Sequence, residues 1–559
     1  MQCQNHKAPN MAKMRRSSLL LISIVLLGYS CSWTKKADLV LHHGVIYTVD
    51  NGFNIMEAMA IRNGKVIAVG NNDDIINSFE ATESIDLNGK PVFPGFIDGH
   101  CHFFGYGSDL VKCDLSDTKS FDQVVEKVQE YSKRNTFKWI LGRGWDQNDW
   151  EKKEFPTRYK LDSLFPDIPV FLMRIDGHAV ICNQKALTIA GIDNSTKVNG
   201  GEIILENGEP SGLLIDNAVD LVKSRIPAFG KEMHEKALLE AQKNCFEVGL
   251  TTVDDAGLGM DSIQLIQDMQ KAGTLKIRVY AMFSDAAKTR THFFEHGQVK
   301  TDRLTVRAIK VYADGALGSR GACLKKPYSD QPGHYGFLLN SEKYMKEIAD
   351  EALENGFQVC THAIGDSAVS TVLHIYADHL NGENNRRWRI EHCQVVDPKD
   401  HNMFGDYSII PSVQPTHATS DMYWAEERLG KERLANAYAY KELKDEAGGQ
   451  IVFGTDFPVE NINPIYTFYA ALERKDLKGY PSGGFQAENK IKKKDALRAM
   501  TIWAAYANFE DQEKGSLEEG KVADFVILDQ DIMKIEGHLI PATKVLSTFV
   551  NGEKVFSRE

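Results

Sequence analysis

A chain of 559 residues, 43% hydrophobic and 25% charged, has the composition of a globular protein able to bury a sizeable core and exceeds one average domain. Its formal charge of -12 excludes a surface built to neutralise phosphates, because nucleic-acid affinity is supplied largely by clustered Lys and Arg. The one basic run, "KIKKKDALR" from Lys490, reads as the solvated start of a helix, so no nucleic-acid partner is expected.

In chain order, the first element is a leader over residues 1–31. "MAKMRRSS" supplies positive charge, "LLLISIVLLGYS" an apolar stretch too short to span a bilayer comfortably, and Cys31 follows at once. Gly28, Ser30 and Cys31 resemble the lipobox of bacterial lipoproteins, which implies export to the cell envelope, a lipid anchor on Cys31 and no other membrane contact. Glycine stands where that pattern usually has leucine, so ordinary signal-peptide cleavage or an uncleaved anchor stay open. Nine cysteines are few for an exported chain of this length, and their positions do not form a disulfide framework.

From residue 37 to 93, short β-branched runs ("ADLVLHHGVIYTVD", "AMAIRNGKVIAVG") are broken by Asn-Gly turns, the strongest short-range hairpin signal. The same texture returns over 515–559, in "GKVADFVILD" and "KVLSTFVNGEKVF". Matching terminal segments predict one composite β-sandwich domain, with the middle of the chain inserted into it.

Residues 94–510 alternate apolar runs with amphipathic helices such as "SEKYMKEIADEALENG". This pattern predicts an α/β domain with a parallel sheet, and the number of runs favours a closed (β/α)8 barrel. Neither a Gly-x-Gly-x-x-Gly dinucleotide fingerprint nor a Walker phosphate loop is present, which lowers the doubly wound alternative. Residues 115–224 read as an elaboration after the first barrel strand.

The first barrel strand, "VFPGFIDGHCHF" from Val92, places two histidines one residue apart. On a strand His100 and His102 share a face while Cys101 points away, and two imidazoles on one face can grip one ion; two structural histidines are the plain alternative. Barrel enzymes collect catalytic groups at strand C-termini, and the later runs place Lys310, His362, His392 and Asp456 there.

Taken in that order, these residues resemble the amidohydrolase superfamily, metal-dependent hydrolases on a distorted (β/α)8 barrel. "GRGWDQNDW", "DGHAVICNQKAL", "KVYADGALGSRGA", "THAIGD", "RIEHCQ" and "GTDFPVENINP" are similar to its YtcJ-like branch and to N-substituted formamide deformylases. The resemblance implies His100 and His102 as ligands of a buried metal and His362 and His392 as ligands of a second. It implies Lys310 as an N-carboxylated bridge and Asp456 as both ligand and proton carrier. One or two divalent ions are implied, zinc first, with manganese, iron or nickel open; an unmodified Lys310 leaves a one-metal site.

The implied reaction is cleavage of an amide or N-formyl/N-acyl C-N bond of a small molecule by a metal-activated hydroxide, with Asp456 passing a proton to the departing nitrogen. His178 is implied to reach over the site from the inserted region, a structural histidine being its alternative. Trp145 could supply an apolar wall of the pocket, with core packing as its alternative; Asp314 and Arg320 are ranked as pocket residues or as groups supporting the pocket from behind, and His417 as a weaker lining residue. A homodimer is plausible on the same ground. A cyclic amidase, a deaminase and a tethered small-molecule binder without turnover remain as alternatives.

Overall fold

The computed structural model describes residues 34–133, 137–227 and 230–559; the expected leader and Cys31 lie outside them. Eight parallel strands form a nearly closed barrel. Numbered in chain order they are β1 (Phe96–Cys101), β2 (Leu250–Leu258), β3 (Arg278–Ser284), β4 (Leu304–Tyr312), β5 (Gln358–Ala363), β6 (Arg389–His392), β7 (Ile410–Val413) and β8 (Val452–Phe453). Each pairs in parallel with the next. The barrel predicted from the alternating pattern is thus the observed one.

Amphipathic helices between strands cover the barrel with an apolar stripe. In Glu342–Glu354 the buried residues Met345, Ile348, Ala349 and Ala352 fall at helical spacing, and the Ser341 side chain caps the first turn by accepting from Tyr344 N.

Between β8 and β1 a side chain replaces the ladder. The buried Asp98 carboxylate accepts from Thr455 N (3.0 Å), Thr455 Oγ1 (2.7 Å) and His100 N (3.2 Å). Asp456 N donates to His100 O at 2.8 Å and His102 N to Phe457 O at 2.9 Å. The backbones approach so closely that a Cβ at Gly99 would overlap Val452, and one at Gly454 would lie 2.5 Å from His100 N. The seam therefore brings His100, His102 and Asp456 to one place.

Both chain termini contribute to a second unit. Phe525–Leu528 pairs antiparallel with Pro91–Pro94, the strand that leads into β1, in a six-stranded sheet. A four-stranded sheet packs on it through Leu39, Leu41, Met59, Ile61, Phe525, Ile527 and Phe549. Asn63-Gly64 and Asn551-Gly552 both hold positive φ at their two positions, as two-residue hairpin turns require.

Between β1 and β2 the chain builds a six-stranded mixed sheet from Cys113–Asp114 to Glu209–Asp216. Its own core includes Leu115, Val124, Val128, Trp145, Val170 and Leu172.

Candidate metal centre

The C-terminal ends of the barrel strands deliver the polar cluster. His100 is the penultimate residue of β1 and His102 precedes the helix Phe103–Asp109. Lys310, His362 and His392 lie at the ends of β4, β5 and β6, and Asp456 follows β8. Two of these adopt left-handed backbone: φ is 76° at His392 and 59° at Asp456, values that cost energy for residues with a Cβ. At β6 the consequence is plain. Strand alternation sends Glu391 into the barrel interior, and the left-handed residue that follows returns His392 to the mouth.

Two groups of potential ligand atoms share Asp456. His100, His102 and Asp456 form one, and His392, His417 and Asp456 the other, each with its ligand atoms within 4.8 Å of one another. Asp456 Oδ1 is 3.2 Å from His102 Nε2 and 3.6 Å from His100 Nε2, while Oδ2 is 3.7 Å from His417 Nε2. Lys310 Nζ stands 3.3 Å from His100 Nε2. The His362 ring lies 4.5 Å from that of His392, but His362 belongs to neither group; its Nε2 is 3.4 Å from Gly315 O and 3.7 Å from Asp314 Oδ1.

Beneath the cluster, the interior of the barrel orients it. His100 Nδ1 pairs with Glu391 Oε2 at 2.7 Å, leaving Nε2 toward Asp456. Arg389, fully enclosed, donates to Glu391, Asp254, Asn508, Ser412 and Gly99 O. Gln414 Oε1 accepts from His392 Nδ1 (2.8 Å), and Ala256 O lies 3.2 Å from His102 Nδ1. Hydrogen bonds of this kind fix the tautomer and ring plane of metal-binding histidines.

The electrostatics favour neutral imidazoles beside an ionised carboxylate. Burial, with the Lys310 charge, pushes His100 down to about 4, and burial lowers His362, His392 and His417 as well. Burial also pushes Lys310 down to about 8. Burial works against the Asp456 carboxylate, but the imidazoles of His102, His100 and His392 hold its pKa well below the ordinary range.

These groups open into a cavity of about 1130 Å³ between the barrel mouth and the inserted unit, lined also by His178, Trp424 and Glu460. His178 comes from the inserted unit; its ring lies 5.2 Å from that of His362, and its Nδ1 is 2.6 Å from Asp216 Oδ1. His417, read from sequence as a weak lining residue, sits against Asp456.

Three other residues stand behind or away from the cavity. Trp145 follows its core-packing alternative and not the cavity wall: it is fully buried in the core of the inserted unit, with Nε1 donating to Leu172 O at 2.7 Å. Asp314 braces backbone, accepting from Ile364 N, Gly365 N and Cys323 N. Arg320, at φ 65°, pairs with Asp330 (2.9 Å) and is not among the residues lining the cavity.

The donor set fits a divalent cation. Asp456 Oδ1 and His417 Nε2 are buried without a hydrogen-bond partner, although both belong to polar groups that normally find one. Imidazole nitrogens and carboxylate oxygens are the ligands that zinc and related ions take.

The sequence model of the amidohydrolase family matches residues 83–556. YtcJ of Bacillus subtilis (strain 168), named as an amidohydrolase, is 31% identical over 93% of this chain and 99% of its own. An N-substituted formamide deformylase of Arthrobacter pascens is 26% identical over 94% of this chain and 99% of its own. A metal-dependent hydrolase of Pyrococcus horikoshii superposes with a TM-score of 0.73 at 28% identity, covering 89% of this chain and 99% of that one.

Proposed function

The chain belongs to the amidohydrolase family and is a metal-dependent hydrolase of that superfamily; from that premise we propose that it cleaves the C-N bond of a small amide, N-formyl or N-acyl compound. The observation that carries this reading is the convergence of His100, His102, His392 and His417 on one buried carboxylate with an unanswered oxygen. Similarity to the formamide deformylase supports the choice of bond.

His100, His102 and Asp456 would hold one divalent cation, zinc first. His392, with His417 or His362, would hold a second. When bound, such an ion lowers the pKa of water toward 7 and polarises a carbonyl. Lys310 is placed to become a carbamate: its neutral amine forms an N-C bond to carbon dioxide and loses a proton, replacing a buried cation by an anionic ligand. Its lowered pKa supports that chemistry.

Asp456 acts as the proton carrier. Its carboxylate, kept ionised among imidazoles, takes a proton from the attacking water and returns it to the departing nitrogen, so that an amine rather than an amide anion leaves. His178 faces the cavity from the opposite side and contacts the substrate there. Export through a lipid-modified Cys31 and a homodimeric state belong to this proposal on the strength of the sequence.

The test is a panel of N-formyl and N-acyl amines assayed with and without a chelator, alongside metal analysis and intact-mass measurement for a labile carbon dioxide adduct. Amine release that a chelator abolishes supports the proposal. Tight binding without product, or ammonia released from a ring amine as the sole product, overturns it.

A further inference from the structure

Asp216 ends the strand Glu209–Asp216 of the inserted unit in an unusual conformation, φ 51° and ψ -124°, which residues with a Cβ rarely adopt. Its side chain is wholly enclosed, and Oδ1 takes the Nδ1 of His178 at 2.6 Å. The two residues are also joined through backbone, Asp216 N donating to His178 O at 2.8 Å. Among the described residues no Lys or Arg lies within 4 Å of this carboxylate; Arg174, two strands away in the same sheet, is engaged by Asp146 and Asp176.

The carboxylate leaves its own unit and enters the loop that follows β4. A Cβ at Gly315 would lie 2.5 Å from Asp216 Oδ2 and 2.7 Å from Oδ1, and one at Gly321 would overlap Oδ2. Neither glycine has a positive φ, so backbone freedom is not their reason. They are glycines because a carboxylate from another unit occupies the space a side chain would need.

We propose that Asp216 is a positioning residue: seated in the notch of Gly315 and Gly321, it fixes His178 over the metal centre, so that the inserted unit completes the active site. With Nδ1 engaged, Nε2 is the ring atom left to meet a ligand. The glycine-rich stretch "ADGALGSRG" is then a receptor for the inserted unit, while its Ala316, Leu317 and Gly318 line the cavity. The strained backbone of Asp216 is retained because the seat and the imidazole both require its direction.

This rests on the amide-hydrolase reading only for the choice of assay. Asp216→Ala, Asp216→Asn, Gly315→Ala and the double variant Gly315→Ala/Asp216→Ala are compared with the parent in kcat, KM, metal content and Tm. Asp216→Ala is expected to lower kcat by about 10²-fold, the scale of a misplaced contact group, with metal content unchanged. Asp216→Asn retains most of kcat, because its amide oxygen still accepts from Nδ1. Gly315→Ala lowers kcat and Tm in the parent and changes neither in the Asp216→Ala background, where the collision partner is gone.

Additive losses in the double variant, or full kcat in Asp216→Ala, overturn the proposal. The Tm cycle needs no substrate. If no amide is turned over by the parent protein, the function reading fails while the seat of Asp216 is still decided.

Discussion

The interior and the mouth of the barrel both gather polar groups that are largely buried, yet they treat the central ones in opposite ways. In the interior, Arg389 has its donors answered by Glu391, Asp254, Asn508, Ser412 and Gly99 O, and both Glu391 oxygens are taken. At the mouth, Asp456 Oδ1 and His417 Nε2 have no partner, and His392 and Asp456 hold left-handed backbone. A buried charge is tolerated when it is paired, and an unpaired one is costly. At these two centres, satisfied polarity braces the scaffold, and unsatisfied polarity stands where a ligand would be held.

The comparison breaks most directly at Asp456. Asp456→Asn keeps the shape of the mouth while removing its proton carrier; kcat is expected to fall by about 10²- to 10⁴-fold, with metal still bound. Parallel kinetics and metal analysis check this, and full turnover in the variant contradicts the role. In the interior, Arg389→Met removes the cation that pairs the buried carboxylates of Glu391 and Asp254. A loss of about 3–5 kcal/mol in chemical denaturation is expected, as for other buried pairs broken on one side.

Glu391→Gln falls on the boundary between the two regions. It retains an acceptor for His100 but not the charge, so metal affinity measured by competition with a chelator should weaken by about 10- to 100-fold while the fold persists. Smallest is an effect of pH at the N-terminal end of the barrel. Burial alone would raise Glu510, but Lys514 and Lys300 bring its pKa down to about 2. Its folded pKa lies below the ordinary value of 4.5, so its contribution to stability is complete above 4.5 and is lost as pH falls toward 2. Urea titrations of the parent and Glu510→Gln should converge across that window; an unchanged slope in the variant counts against it.

The strands and most of the mouth were legible because apolar runs repeat and their last residues point one way. Glu391 was not. It stands beside His392, where alternation assigns the pair to opposite faces, and its partner His100 is distant in sequence. His417 was less visible in the sequence than the strand-end residues: it sits on the helix Pro415–Asp421, outside the pattern that marks the others. Trp145 and Asp314 show the converse: a tryptophan and a carboxylate in suggestive motifs serve a core and three backbone N-H groups, and residue type alone does not tell which side of a sheet a side chain faces. Asp216 carried no local signal, since its meaning depends on two glycines in another unit.

The pairing of Phe525–Leu528 with Pro91–Pro94 has a bearing on biosynthesis. The strand that feeds β1 emerges from the ribosome early, yet the neighbour that zips onto it is translated after the whole barrel. Until then the nascent chain carries an open sheet edge directly upstream of His100, exposed to pairing with other chains. Maturation of the molecule thus finishes at its outer unit, and a ribosome stalled before the last strands would leave Pro91–Pro94, the strand that leads into the barrel, paired on one side only.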